Sequence, residues 1–112
     1  MNQALTWSDF EKVDIRTGTI LHAEIFAEAK KPAYKLQIDF GALGIKKSSA
    51  QITVHYSPEK LIGKQIVAVV NFPPKQIGPF MSECLVLGVV EENGGVVLLQ
   101  ADKGCKNGLR VS

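Results

Sequence analysis

The sequence predicts an all-β fold, a small antiparallel barrel carrying two short helical turns. Three observations lead there. From Val13 onward, apolar and polar residues alternate with a period of two, over Val13–Ile25 and again over Tyr34–Phe40, the pattern of half-buried strands. Two short runs, Ile66–Val70 and Leu85–Val90, are almost wholly apolar, as strands buried on both faces are. Asn93-Gly94-Gly95 is a strong hairpin signal between two such segments. With 112 residues, 46% hydrophobic and 21% charged, the chain suits one globular domain over residues 1–112 with a core of modest size.

Taken in order, Thr6–Lys12 suits one short helix. Thr6 or Ser8 can cap it, and Asp9 and Glu11 favour its first turn. Trp7 and Phe10, three apart, share a face that should pack on the barrel or on a second subunit. In Val13–Ile25, Val13, Ile15, Thr17, Thr19, Leu21, Ala23 and Ile25 form one face, and Gly18 suggests a bulge or bend. In Tyr34–Phe40, Leu36, Ile38 and Phe40 point inward; Gly41 and Gly44 frame the turn that follows. Lys46–Val54 is a third strand with a polar, small-residue centre. Ser57 to Gly63 reads as a helical turn with Ser57 as cap, Pro58 at the first helical position and Gly63 at the end. Gln65–Val70, Met81–Val90 and Val96–Gln100 complete the strands. Five strands with a short helix between the third and fourth is the element order of an OB-fold, a five-stranded Greek-key barrel. The extra strand and the tail exceed that barrel, and a spare apolar edge invites pairing across a subunit interface.

Composition excludes several functions. Cys84 and Cys105 form no C-x-x-C pair and are expected as reduced thiols. The segment MNQALTWSDFEK lacks the basic and apolar regions of a signal peptide, and no apolar run approaches the ~20 residues of a membrane span; a cytoplasmic, soluble protein is expected. His22 and His55 lack metal-ligand spacing, no nucleophile motif is present, and Glu91-Glu92 would point to opposite faces of a strand. No enzymatic activity, catalytic residue, metal or cofactor is expected.

Binding is better supported. Asn71–Leu87, NFPPKQIGPFMSECLVL, joins two apolar strands through a loop stiffened by Pro73, Pro74 and Gly78-Pro79. Such a loop holds polar groups at fixed places and loses less entropy when it binds. The net charge of +2 neither demands nor excludes nucleic acid. Lys30, Lys31, Lys35, Lys46, Lys47 and Lys75 would meet phosphates if they gathered on one side of the barrel, although Lys46 and Lys47 in a strand point opposite ways. Tyr34, Phe72 and Phe80 are the aromatic residues available for stacking, and each also suits the core.

Phe10-Glu11-Lys12-Val13-Asp14-Ile15-Arg16-Thr17-Gly18-Thr19-Ile20 resembles the opening of the tRNA-binding OB domains, which occur at the C-terminus of bacterial methionyl-tRNA synthetases and as free-standing proteins. Lys46-Lys47-Ser48-Ser49-Ala50-Gln51-Ile52-Thr53, Val69-Val70-Asn71-Phe72-Pro73-Pro74-Lys75-Gln76-Ile77 and Ser82-Glu83-Cys84-Leu85-Val86-Leu87-Gly88 resemble the CsaA group of that family. The resemblance implies an OB barrel extended at both ends into a dimer interface, hence a homodimer. It implies an export-related chaperone that binds unfolded or presecretory polypeptides, with tRNA as the second ligand class and contact with export machinery; no stable membrane insertion is expected.

Two sites follow as expectations. A polypeptide surface would combine Ser48, Ser49 and Gln51 with Asn71, Phe72, Pro73 and Glu83: hydroxyls and amides for an extended backbone, apolar groups for its side chains. A tRNA surface would use Lys30, Lys31, Lys35, Lys46, Lys75 and Ser82. A domain that only dimerises a larger assembly is the third reading.

Overall fold

A computed structural model describes residues 3–112. The chain opens with a short helix, α1 (Trp7–Glu11). Thr6 is its cap: the Thr6 hydroxyl accepts from the Asp9 amide and the Asp9 carboxylate accepts from the Thr6 amide, a reciprocal capping box. Trp7 does not pack on the barrel; 86% of it is exposed.

Strand β1 (Ile15–Ile25) is the longest and the most widely shared. It pairs antiparallel with β2 (Tyr34–Asp39) through its second half and with β4 (Gln65–Val69) through its first. Strand β3 (Ile45–Ala50) pairs with β2. A single helical turn, α2 (Pro58–Leu61), precedes β4. The sheet order β3-β2-β1-β4-β7, where β7 is Leu85–Val86, makes a nearly closed five-strand antiparallel barrel of OB type with two short helices. Its largest fully buried apolar side chains are Ile20, Leu36, Ile38, Phe40, Leu61 and Ile66, each at most 1% exposed.

The alternation in β2 holds: Leu36, Ile38 and Phe40 are all inward. In β1 it fails midway. Ile20 pairs with Ile38 and His22 with Gln37, so Leu21 is an inserted residue. One extra residue shifts the phase of a period-two pattern, which is why Ile20 and Ala23 are both buried while Leu21 is exposed; Ile25, two residues beyond Ala23 at the strand end, is exposed as well. The bulge expected at Gly18 therefore lies at Leu21. Gly18 serves another purpose: a Cβ there would stand 2.7 Å from Ile38 Cγ2 and from the Phe40 ring, so the missing side chain lets the core close against the strand.

Four further expectations change. The third strand ends at Ala50 rather than Val54. Ser57 occupies the cap position of α2 with extended backbone, but its hydroxyl makes no cap bond. The predicted strand Met81–Val90 is three pieces: β6 (Phe80–Ser82), β7, and β8 (Gly88–Val90). Asn71–Leu87 is not a plain loop, since β5 (Lys75–Ile77) folds back on β6 as a hairpin around Gly78-Pro79. The Asn93-Gly94-Gly95 turn is found as expected and joins β8 to β9 (Val96–Leu98). The tail runs along β1: Thr17 donates to Leu109 O, Gly108 and Val111 donate to Thr17 O and Ile15 O, and Arg16 Nη1 reaches Gly108 O. Among the described residues no helix is long and apolar enough to cross a membrane.

Candidate functional site

The barrel wall is closed between β3 and the β6–β7 segment by side chains as much as by backbone. The Glu83 amide donates to Lys47 O at 2.7 Å, and the Lys47 amide donates to Glu83 Oε1 at 2.8 Å. The Ser49 amide donates to Ser82 Oγ at 3.1 Å, and Ser48 Oγ donates to Cys84 O at 3.0 Å. These contacts join residues more than thirty positions apart, so nothing local in the chain announces them. They also explain why β3 has small hydroxyl residues at its centre: Ser48 stands opposite Leu36 in the barrel interior, and its hydroxyl satisfies a carbonyl there. Cys84 lies in the same seam. Burial pushes its thiol up to about 11, a shift that the Ser48 hydrogen bond only partly opposes.

Beyond this seam the wall opens into a groove of about 680 Å³, a size typical of ligand pockets. Its polar lining comes from Ser49, Gln51, Lys75, Ser82 and Glu83, and its apolar lining includes Phe72, Pro73, Ile77, Leu85, Val86 and Val90. The β5–β6 hairpin forms one wall and Val90 and Val96 of the β8–β9 hairpin form another. Phe72 is 54% exposed, which makes it an apolar face presented to solvent at the groove's rim.

Five of the seven expected polypeptide contacts, Ser49, Gln51, Phe72, Pro73 and Glu83, thus meet in one groove. Two do not. Ser48 is fully enclosed at 0% exposure, and no ligand can reach it without opening the barrel. Asn71 is turned to the other side: its Oδ1 accepts from the Asp14 amide and its Nδ2 donates to Lys12 O, pinning the α1–β1 connection to the end of β4. Glu83 is in the groove, but one carboxylate oxygen is committed to Lys47.

The expected tRNA residues divide as well. Lys75 and Ser82 pair across the β5–β6 hairpin and line the groove. Lys30 and Lys31 are exposed on the β1–β2 loop. Lys35 and Lys47 lie on the outward face of β2–β3, because Lys35 is opposite Ser49 and Gln37 opposite Lys47. Lys46 falls on the other face of β3, as the alternation predicted. Sequence reasoning missed what holds the outer pair in place. Phe80 stacks edge-on against Phe26 with centroids 5.4 Å apart; Lys47 Nζ stands 5.3 Å and Lys35 Nζ 5.9 Å from the Phe80 centroid. Two ammonium groups share one ring with no carboxylate paired to either among the described residues, which leaves their charge available to an anion. Of the aromatic candidates, Tyr34 is core, with its hydroxyl on Tyr56 O at 2.6 Å. The apolar walls Leu85, Val86 and Val90 were also missed. The signal was present: an apolar run with no polar alternation has more apolar side chains than one buried face can take.

Residues 15–110 match the family of putative tRNA-binding domains. The crystal structure of chaperone CsaA from Bacillus anthracis superposes with a TM-score of 0.93 at 57% identity, covering 98% of this chain and 100% of that one. The CsaA chaperone protein from Picrophilus torridus superposes at 0.91 with 53% identity over 97% of this chain and 100% of that one. A methionyl-tRNA-synthetase-related protein from Pyrococcus horikoshii gives 0.87 at 28% identity, covering 99% and 100% of the two chains. The methionine–tRNA ligase of Bdellovibrio bacteriovorus is 36% identical over 107 residues, which are 96% of this chain and 15% of the ligase. The chain thus spans about 15% of the length of the curated relatives it matches. With a family match over nearly its whole length and close structural likeness to two CsaA chaperones, the chain belongs to the family of tRNA-binding domains and, within it, to the CsaA group.

Proposed function

We propose that the chain is a polypeptide-binding chaperone that holds unfolded or presecretory segments in the groove between β3, the β5–β6 hairpin and β7–β8, and that it acts in the cytoplasm in support of protein export. The carrying observation is the groove itself, where Ser49, Gln51, Phe72, Pro73 and Glu83 meet apolar walls. Exposed apolar surface rimmed by amides and hydroxyls suits extended chain, whose backbone needs partners and whose side chains need burial. No reaction is assigned to the site. Homodimer formation is part of the proposal and is supported by Leu5 and Trp7, 74% and 86% exposed on and beside a helix that its capping box holds in place. Two grooves per dimer would give a long client avidity.

A second reading, tRNA binding, is favoured by one specific observation: the unpaired Lys35 and Lys47 ammonium groups over Phe80, with Lys30 and Lys31 exposed on the β1–β2 loop. On OB barrels this strand face and the loop beside it take nucleic acid.

Titrating tRNA and an unfolded presecretory polypeptide separately over a salt series distinguishes the two. Salt-tolerant polypeptide binding with weak, unselective RNA binding is expected. Saturable tRNA binding with a steep salt slope and no polypeptide binding overturns the chaperone reading. A solution mass equal to one chain at micromolar concentration removes the dimer.

A further inference from the structure

The groove is lined by Ser49 through Ile52 without a gap, and on its other side by Ser82 through Gly88 without a gap. Neighbouring side chains of an extended segment point to opposite faces. A groove that touches every residue in turn therefore lies along the edges of the two segments, not over one face of either. It is a slot in the barrel wall, where the wall's backbone is exposed.

The ladder pattern says which groups face it. In an antiparallel strand the N–H and C=O of one residue share an edge, and the edge alternates. Both backbone groups of Lys47 bond to Glu83, so Lys47, Ser49 and Gln51 turn toward the slot. The Ser49 amide is taken by Ser82 Oγ. The Ser49 carbonyl and the Gln51 amide have no partner among the described residues. On the opposite edge the Leu87 amide donates to Val67 O and Val86 stands opposite Ala68, which turns the Val86 amide and carbonyl away from β4 and toward the slot. They too are without a partner among the described residues. Cys84, two residues earlier on the same edge, shows what closure looks like: its carbonyl receives the Ser48 hydroxyl.

We infer that this slot takes one extended polypeptide segment as an added strand, paired through its backbone to Ser49 of β3 and to Gln51 just beyond its end, and lying against Val86 of β7 on the facing edge. The inference rests on the polypeptide-binding reading and names its mode. Lys75 sets the charge of the occupant. It lines the slot with no carboxylate paired to it among the described residues, while the other charged side chain there, Glu83, is held by the Lys47 amide, so the segment carries an acidic residue placed beside Lys75. Backbone pairing explains how one site serves many sequences, because main-chain bonds are common to all of them while Leu85, Val90 and Val96 accept alternate side chains.

The test uses the full chain and an unstructured peptide of alternating Val and Thr, about six residues long to span roughly 20 Å, with a glutamate at either end in two versions. On binding, the Gln51 and Val86 amides are expected to become protected from hydrogen exchange. A version with central amides replaced by esters, which removes N–H donors without adding bulk, is expected to bind about tenfold more weakly. Lys75→Glu is expected to weaken the glutamate peptide and to favour a lysine-ended one. Peptide bound with Gln51 and Val86 exchanging as before, or ester and amide peptides binding alike, overturns strand addition and leaves the polypeptide-binding groove standing. Absence of binding by every peptide, and by the unfolded presecretory polypeptide as well, overturns both.

Discussion

The two halves of the molecule are built differently. Up to Val69 the chain runs in long strands whose partners are set by continuous backbone ladders, and nearly all of the core lies there. After Val69 no strand exceeds three residues, and the pieces are tied to the first half by short or isolated backbone pairings together with individual side chains: Ser82, Glu83, Asn71 and the Tyr56 hydroxyl that receives the Leu98 amide. A continuous ladder leaves no unpaired backbone. A broken one leaves gaps, and the groove lies at such a gap. The first half supplies stability and the second supplies a surface.

That contrast can be broken at several points. The largest effect is expected in the first half. Phe40→Ala removes a ring that is fully buried against Gly18 and Ile38, and should cost about 3–5 kcal/mol in urea unfolding; a cost under 1 kcal/mol would mean the core is not where the burial places it. Next comes the pH dependence of the seam. The folded Cys84 thiol holds its proton more tightly than the unfolded one, whose value is near 9, so its contribution is complete below pH 9 and is lost as pH rises toward 11. That difference of about two units corresponds to about 3 kcal/mol. Unfolding of wild type and Cys84→Ala compared from pH 8 to 11 should show the steeper loss in wild type; parallel curves would contradict the buried thiol.

A smaller change is expected from Glu83→Ala, which leaves the Lys47 amide without its acceptor and should cost about 1–3 kcal/mol, with Glu83→Gln recovering most of it. If Gln restores stability but not polypeptide binding, Glu83 serves both the wall and the ligand. The smallest effect on stability belongs to Phe72→Ala at the exposed rim, within about 0.5 kcal/mol, yet it should weaken polypeptide binding several-fold. A variant that unfolds early while binding normally would reverse the division of labour between the halves.

Legibility followed the same line. Leu36, Ile38 and Phe40, the Thr6 cap, Pro58 at the start of α2 and the Asn93-Gly94-Gly95 turn are all local signals, and each is where its chemistry predicts. The groove was half legible. Residue type and loop stiffness mark Phe72, Pro73, Gln51 and Ser49, while Ser48 and Asn71 carry the same polar groups a ligand would need yet spend their hydrogen bonds on Cys84, Asp14 and Lys12 within the chain. A serine or asparagine offers the same groups to a distant carbonyl as to a partner molecule, and only the packing says which takes them.

By itself, then, the sequence determined the fold class, the family and most turns, because these depend on periodicity, caps and glycine or proline geometry that act over a few residues. Tertiary structure alone decided the phase of β1 after Leu21, the division of Met81–Val90 into three strands, and the commitment of Ser82 and Glu83 to the barrel wall. Each of those depends on where a second strand, often more than thirty residues away, places its own donors and acceptors. That registry is a property of the closed barrel and is written in no single stretch of the chain.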